Sequence, residues 1–374
     1  MGSEAVSCVF CRLDPPKRTR RSAYHSQGRM EFVPIDFRSE QLIARVRSSD
    51  GSGEVERRLE VRFDPLLGTT ARIAQGVSLP TAGPSALAPF QPEDPKCPFC
   101  LPRLLEVTPR ILPNICVDGR IRQGETTLFP NVVPYSQYAA VAPFSTRHWL
   151  ALRDFTPRLI ADNLAAALRY VRHVHDVDGG VQHCAYNINY LYPSGGSLPH
   201  PHAQIFADPY PTTMMRLQYQ AGERYWSEHG GSFWEALVEA EERRGERFVG
   251  RIGASSWITA FAPLGFNEVR AVVSGRETFL DLTDDDAEAL ALGVSRVLSW
   301  YEASGYNSFN LAFYSGPLGG AHYFRPNLIT VTRSALVPNY RSDAMHLERL
   351  HWEAAVDRPP EALAAELRDH FLEA

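Results

Sequence analysis

Apolar and polar positions along this chain follow two periods, and the switch between them outlines a structural order that occurs twice. The runs "YAAVAPFS" and "AYNINYLYP" read as strands, being short, apolar and closed by proline or serine. Between them, "TPRLIADNLAAALRYVRHVHD" sets Leu159, Ile160, Leu164, Leu168 and Val171 at helical spacing. Thr156 supplies the N-cap of that helix and Pro157 its first turn. The order is strand, helix, strand, and then "GGSLPHPHAQ". It returns when "FAPLGFNEVRAVVSG" is followed by "LTDDDAEALALGVSRVLSWYEASG", capped by Thr283 with Asp286 three residues on, and then by "NSFNLAFYSGPLGGAHYFRPNLITV". Each half sets an Asn-containing strand and a Gly-Gly pair ahead of histidine, but the second keeps only His322 where the first has His200 and His202. This is a divergent internal repeat that has kept its chemistry in one half.

The pattern divides the chain into an irregular N-terminal extension over 1–58, a first half over 59–230 and a degenerate second half over 231–374. "RFDPLLGTTARIAQG" suggests a short hairpin that runs into a Pro/Ala/Ser-rich extended arm ending near Pro95. Residues Pro359–Leu372 close the chain as a helix.

Size and charge narrow the classes. At 374 residues the chain is long enough for two domains or one duplicated unit. A net charge of -5 offers no overall attraction for nucleic acid or an anionic membrane, so neither is expected as a partner. No stretch approaches the ~18 uninterrupted apolar residues of a spanning helix. The first residues carry no apolar run of signal-peptide length, and a cytoplasmic location is expected. Lys17 and Lys96 are the only lysines, so nearly every cation is a guanidinium suited to bidentate contact with carboxylate or phosphate.

Six cysteines do not make a disulfide scaffold in a chain this long, and four of them form the C-x-x-C pairs Cys8/Cys11 and Cys97/Cys100. In a reducing compartment that spacing reads as metal binding. One tight turn offers two thiolates, and histidines or carboxylates from elsewhere must complete a tetrahedron. His148 in "PFSTRH" and His200 are candidates at strand or loop boundaries, although an isolated histidine is more often an ordinary hydrogen-bonded residue and position alone does not identify them as ligands. Cys8 and Cys11, with His25, have no companion pair and stay unassigned. Gly195 and Gly196 would let backbone N–H groups approach an anion, with the Ser197 hydroxyl beside them, although an ordinary turn accounts for the same residues. His173 and His175 end the first helix, where a cation meets the helix dipole favourably. Lys17–Arg21 reads as a solvated basic run.

Taken together, "CPFC", "FSTRH" and "GGSLPHPHAQ" resemble the galactose-1-phosphate uridylyltransferase family, the transferase branch of the histidine-triad superfamily. The resemblance covers roughly residues 59–374, with "RFDPLLG", "FPN" at Phe129–Asn131 and "PPEALAAELR" as further matching segments. It implies an α+β fold of two histidine-triad-like repeats, each an antiparallel sheet with a packed helix. It implies zinc (Zn2+) held by Cys97, Cys100, His148 and His200, a nucleophile at His202 that becomes nucleotidylated, and a phosphoryl contact from Gln204. Asn189, Gly195, Gly196 and Ser197 would hold the nucleotide phosphates, and Asn131 would belong to the base and ribose pocket. The implied partners are a nucleotide sugar and a sugar 1-phosphate, with a homodimer as the assembly.

The sequence also departs from the family pattern. Val132 and Val133 follow Asn131 where the family usually reads Asn-Asp-Phe, so no carboxylate is offered to a ribose. Gly320-Ala321-His322 stands where many members have His-x-His, and Phe324 takes the place equivalent to Gln204, so a second metal site is not expected. Asp343–Trp352 lacks the Lys-Phe and Tyr-Glu residues that read a hexose phosphate, leaving Arg349 and Glu353 as candidates. Three functions follow: transfer of a nucleoside monophosphate, UMP first, between a nucleotide sugar and a sugar 1-phosphate; phosphorolysis or hydrolysis of an ADP-sugar or dinucleoside polyphosphate by the same His202; and non-catalytic nucleotide binding. Retention of His202 and Gln204 argues against the third.

Overall fold

The computed structural model describes residues 35–74, 76–83, 86–88, 94–340 and 342–372; Cys8, Cys11, Lys17–Arg21 and His25 lie outside the described residues. Three strands come first: β1 (Ser39–Arg47), β2 (Glu54–Phe63) and β3 (Thr70–Ala74). The first half continues through α1 (Arg103–Val107), β4 (Ile121–Gln123), β5 (Thr126–Pro130), β6 (Tyr138–Pro143), α2 (Pro157–Val177), β7 (His183–Tyr190) and β8 (His202–Asp208). Two helices, α3 (Thr213–His229) and α4 (Phe233–Arg244), lead into β9 (Phe248–Ile252), β10 (Ser255–Thr259), β11 (Val269–Val273), α5 (Asp284–Ala303), β12 (Phe309–Tyr314) and β13 (Asn327–Thr332). The chain closes with α6 (His346–His351), β14 (Ala354–Val356) and α7 (Pro360–Leu372).

Strands β4 to β13 form one ten-stranded sheet in the order β4-β5-β6-β8-β7-β12-β13-β11-β10-β9. Its pairings are antiparallel throughout. The order reads alike from either edge, so the two expected repeats are two five-stranded halves joined along β7 and β12. Each half carries one long helix, and α2 and α5 pack against each other. The smaller sheet, β1-β2-β3-β14, pairs β14 parallel to β3.

Strand alternation sorts side chains by face. Ala203, Ile205 and Ala207 of β8 and Trp257 of β10 join the core beneath α2 and α5. Their neighbours His202, Gln204 and Phe206 therefore point to the other face. On that face the two halves differ. Ile258 and Val272 of the second half are covered by Met215 and Tyr219 of α3 and by Trp234 and Leu237 of α4. Among the described residues, no equivalent pair of helices precedes the first half, where Gln204 and Asn189 stay partly exposed and His202 is buried.

The helix signals seen in the sequence operate as capping. Thr156 Oγ1 accepts from Leu159 N, and Thr283 and Asp286 form a reciprocal capping box at the start of α5. His175 Nδ1 donates to the Val181 carbonyl at 3.1 Å, tying the end of α2 to the following loop. The hairpin expected at "RFDPLLG" joins β2 to β3, where the Asp64 carboxylate accepts from the N–H groups of Leu66 and Leu67 at 3.0 and 2.8 Å.

The irregular extension expected over 1–58 is corrected for its described part: β1 and the first half of β2 lie within it, paired in register from Ser39↔Arg62 to Arg47↔Glu54. This ribbon is exposed on most positions and held by cross-strand charge pairs such as Arg45–Glu56 at 3.1 Å. With no buried face, it lacks the apolar alternation by which strands are recognised. Among the described residues, no helix is long and apolar enough to cross a membrane.

Helix α5 crosses β10 at Gly293. A Cβ there would fall inside the indole of Trp257, which is fully buried. Glycine inside a helix costs about 1 kcal/mol relative to alanine, so its presence reflects this close approach. Gly293→Ala is expected to lower unfolding free energy by about 1–3 kcal/mol through overpacking, read from the urea midpoint. A variant as stable as the parent, or more so, would show that helix propensity outweighs the contact.

Candidate functional site

Three separate stretches of chain meet at one end of the large sheet to form a cluster of four side chains that could hold a metal ion. Cys97 and Cys100 come from the turn before α1, His148 from the loop after β6, and His200 from the residues leading into β8. Their ligand atoms all lie within 4.8 Å of one another. Cys100 Sγ is 3.3 Å from His148 Nδ1 and 3.5 Å from His200 Nδ1, and Cys97 Sγ is 3.7 Å from His200 Nδ1. A tetrahedral ion bonded at about 2.0–2.3 Å requires donor-to-donor edges of about 3.3–3.8 Å. Two thiols and two imidazoles at these spacings could hold such an ion, and Cys97 and His200 are closed to solvent.

Backbone carbonyls assign the two histidines of "HPH" to different work. His200 Nε2 donates to the Ser145 carbonyl at 3.0 Å, so its lone pair sits on Nδ1, the atom facing the cysteines. His202 Nδ1 donates to the His200 carbonyl at 2.8 Å, which leaves the lone pair on Nε2. The intervening proline lets alternate residues turn one ring toward the cluster and the other along the open face. Burial holds the His202 imidazole below its ordinary pKa, against the bond to His200, and pulls His200 down to about 4. The Phe99 ring, inside the C-x-x-C turn, meets both imidazoles edge-on with centroids 5.0 Å from His202 and 5.9 Å from His200.

The expected phosphate-holding residues gather beside His202. The β7–β8 register ends at Ile188 opposite Ala203, which leaves Asn189 next to His202. Gln204 lies opposite Asn187 on the same face. Gly195 adopts a left-handed conformation with φ +86°, and a Cβ on Gly196 would lie 2.9 Å from the carbonyl oxygens of Asn189 and Leu191. Both positions thus require glycine. Ser197 is exposed on this loop. Asn131 follows β5, its N–H bonded to the Ala139 carbonyl at 2.9 Å, and its Oδ1 accepts from Val133 N at 3.1 Å. Val132 and Val133 are more than half exposed and form an apolar lip there.

Asn310 was not singled out by the sequence. It stands opposite Asn189 across the β7–β12 seam and donates from Nδ2 to Asn189 Oδ1 at 2.7 Å and to the Ser194 carbonyl at 2.9 Å. Only knowledge of the strand pairing could have found it. Arg349 and Glu353, the remaining sugar candidates, lie in α6 and just before β14; Glu353 is ion-paired with Arg72 at 2.5 Å.

Among its described residues, the second half has no counterpart to the Cys97, Cys100, His148 and His200 cluster. Phe324, which the sequence set level with Gln204, instead lies just before β13, and the strand registers set Ile329 level with Gln204; Phe324 is fully buried against Trp234 and Tyr219 at ring distances of 4.4 and 5.2 Å. His322 is exposed and meets the Trp226 ring edge-on at 4.5 Å. Among the described residues, the first-half cluster is the one group of three or more potential ligands close enough to share an ion.

Comparison with known proteins agrees with this architecture. No family model matches the chain. An uncharacterized protein of Archaeoglobus fulgidus is 31% identical over 345 residues, covering 91% of this chain and 100% of that protein. A GALT-like protein from Arabidopsis thaliana superposes with a TM-score of 0.63 at 18% identity, over 83% of this chain and 98% of its own. An ADP-glucose phosphorylase from Arabidopsis thaliana, with bound ADP-glucose, gives 0.64 at 18% identity, over 83% and 99%. A uridylyltransferase gives 0.61 at 20% identity, over 84% and 99%. At these identities the solved structures share the fold.

The cluster geometry predicts that Cys97→Ser loses bound metal and thermal stability together, since three remaining donors leave the tetrahedron incomplete. Metal analysis of purified protein and a melting curve test this. Full metal occupancy with unchanged melting would remove Cys97 from the ligand set.

Proposed function

We propose that this chain, which belongs to one family with the Archaeoglobus fulgidus protein and has the fold of the galactose-1-phosphate uridylyltransferases, is a nucleotidyltransferase working through His202. The observation that carries the reading is the pair of tautomer-fixing bonds: His200 spends its lone pair toward the cysteines, whereas His202 keeps one free on Nε2. In this reading the ion at Cys97, Cys100, His148 and His200 is zinc, which supplies a fixed anchor for the strand bearing the nucleophile and takes no part in bond making.

The reaction is a double displacement. His202 Nε2 attacks the α-phosphorus of a nucleotide sugar; the bond from that phosphorus to the bridging oxygen breaks, and sugar 1-phosphate leaves with the electron pair. The imidazole then carries the nucleotidyl group on Nε2 and its proton on Nδ1, so the positive charge of the adduct faces the His200 carbonyl. Attack by the acceptor's phosphate oxygen on the same phosphorus releases the histidine. Gln204 offers an amide donor to the phosphoryl oxygens without a titrating proton, which favours transfer over hydrolysis. UMP is the group transferred and hexose 1-phosphate the acceptor in the preferred form of this proposal.

A second reading, phosphorolysis of an ADP-sugar or a dinucleoside polyphosphate by the same histidine, is favoured by the base loop. Asn131 engages its own turn, and the following positions are valines where a carboxylate would meet a ribose. The structural similarity to an ADP-glucose phosphorylase supports keeping it.

Incubation with UDP-glucose, ADP-glucose or a dinucleoside tetraphosphate, followed by mass spectrometry of the His202 peptide, tests the chemistry and the base together. A UMP or AMP adduct on His202 is expected from one donor, discharged by sugar 1-phosphate or by inorganic phosphate according to the reading. His202→Gly should fold, keep its metal and lose turnover. An adduct on another residue, or normal transfer by His202→Gly, overturns the mechanism.

With the usual contacts replaced near Val132 and Asp343–Trp352, galactose 1-phosphate is expected to be a weakly preferred acceptor. A rate advantage of about 100-fold or more over other hexose 1-phosphates, the scale of strong polar discrimination, would show that sugar selection survives by other residues.

A further inference from the structure

The catalytically degenerate half reaches across the seam into the site of the first. Arg333, just beyond β13, directs Nη1 to Asn310 Oδ1 at 3.2 Å while Nε and Nη2 hold the Asp343 carboxylate at 2.9 and 2.8 Å. A guanidinium only donates, so the atom of Asn310 facing Arg333 must be its oxygen. The Ser194 carbonyl only accepts, so the atom of Asn310 facing it must be its nitrogen. Two independent partners thus set the same orientation of the Asn310 amide. That orientation then decides the next one: Asn310 Nδ2 donates to Asn189, whose facing atom must be Oδ1.

We propose that Asn310, oriented by Arg333, is a positioning residue that turns the Asn189 amide so that its NH2 group, and not its oxygen, meets the α- or β-phosphate of the nucleotide beside His202. The proposal rests on the function proposed above, in which Asn189 contacts nucleotide phosphate. An Asn189 turned the other way would set a carbonyl oxygen against an anion. The second bond, to the Ser194 carbonyl, fixes the residue preceding Gly195 and Gly196, so one side chain of the second half braces both parts of the phosphate cradle. Asn310 needs no contact with substrate for this. Its position opposite Asn189 follows from the β7–β12 register. Neither bond joins it to the metal cluster.

A double-mutant cycle tests the relay, with affinity for UDP and ADP measured by calorimetry on the intact protein and the rate of His202 adduct formation measured separately. Asn310→Ala is expected to weaken binding of the preferred nucleotide by about tenfold or more, as for loss of a hydrogen bond to a charged group. Asn310→Ser keeps a smaller polar group and serves if the alanine variant melts early. In the Asn189→Ala background the same substitution at 310 should cost clearly less affinity than in the parent, because only its bond to the Ser194 carbonyl is then left for it to act through. Equal losses in both backgrounds, or binding by Asn310→Ala within about twofold of the parent, overturn the proposal. Nucleotide binding by the parent without any adduct would overturn the proposed reaction while leaving the affinity cycle to judge Asn310. Failure of the parent to bind either nucleotide would overturn both.

Discussion

The pairing of β7 with β12 is the contact on which the rest of the structure depends. It converts two five-stranded sheets into one, from Phe309↔Tyr190 to Tyr314↔Ala185. On one face the seam packs Tyr190, Phe309 and Phe155 at ring distances of 5.2–6.0 Å. On the other it sets Asn189 against Asn310. A side bond reinforces it: the Ser308 hydroxyl donates to the Tyr190 carbonyl at 2.7 Å. A slip of one residue would exchange these faces, burying the asparagines and exposing the aromatics. The register that builds the core also aligns the polar row.

At the sheet's end a short-range constraint takes over. His-Pro-His places two imidazoles within reach of two backbone carbonyls, that of Ser145 for His200 and that of His200 for His202, and each carbonyl fixes one ring nitrogen as a donor. The outcome is a division of labour that neither histidine could hold alone. His200 is immobilised by Ser145 and by its approach to two sulfurs, while His202 hangs from the carbonyl of His200 itself. Any shift of His200 is passed to the neighbouring ring through a single 2.8 Å bond. Phe99 completes the enclosure, because the turn that supplies the thiols also supplies the ring that packs against both imidazoles.

Much of this was legible in the sequence, and what was not had physical reasons. α2 and α5 announced themselves through Thr156, Thr283 and Asp286, since a capped amphipathic helix is a local object. The cluster of potential metal ligands was legible in part: C-x-x-C gave two donors from one turn, but His148 and His200 were two among twelve histidines until the family motif singled them out. The β1–β2 ribbon escaped because it is exposed and charged on both faces. α3 and α4 escaped although their signals are present: Thr212 caps one, and Gly230 and Gly245 end them in left-handed conformations. Asn310 and Arg333 could not be read at all, because their meaning comes from a strand register that no local pattern encodes.

The two helices overlooked in the sequence also distinguish the halves. In the second half α3 and α4 cover the sheet face opposite the long helix, the face that in the first half carries His202 and Gln204. Trp234 and Tyr219 fill the space beside Phe324, and Gly222 of α3 lies so close to Trp234 that a Cβ would sit 2.8 Å from its ring. A glutamine at position 324 would bury an amide among aromatic rings with no partner, at a cost of about 1–3 kcal/mol, so phenylalanine there is what the covering helices require. The cover also draws in charge. Arg270 of β11 lies half-buried between Glu268 and the Asp64 carboxylate of the β2–β3 turn, 3.3 Å from the latter, so the "DPLLG" turn docks onto the second half. The second half thereby supports the first: it contacts the smaller sheet through Arg270, closes its own face with aromatics, and presents Asn310 across the seam.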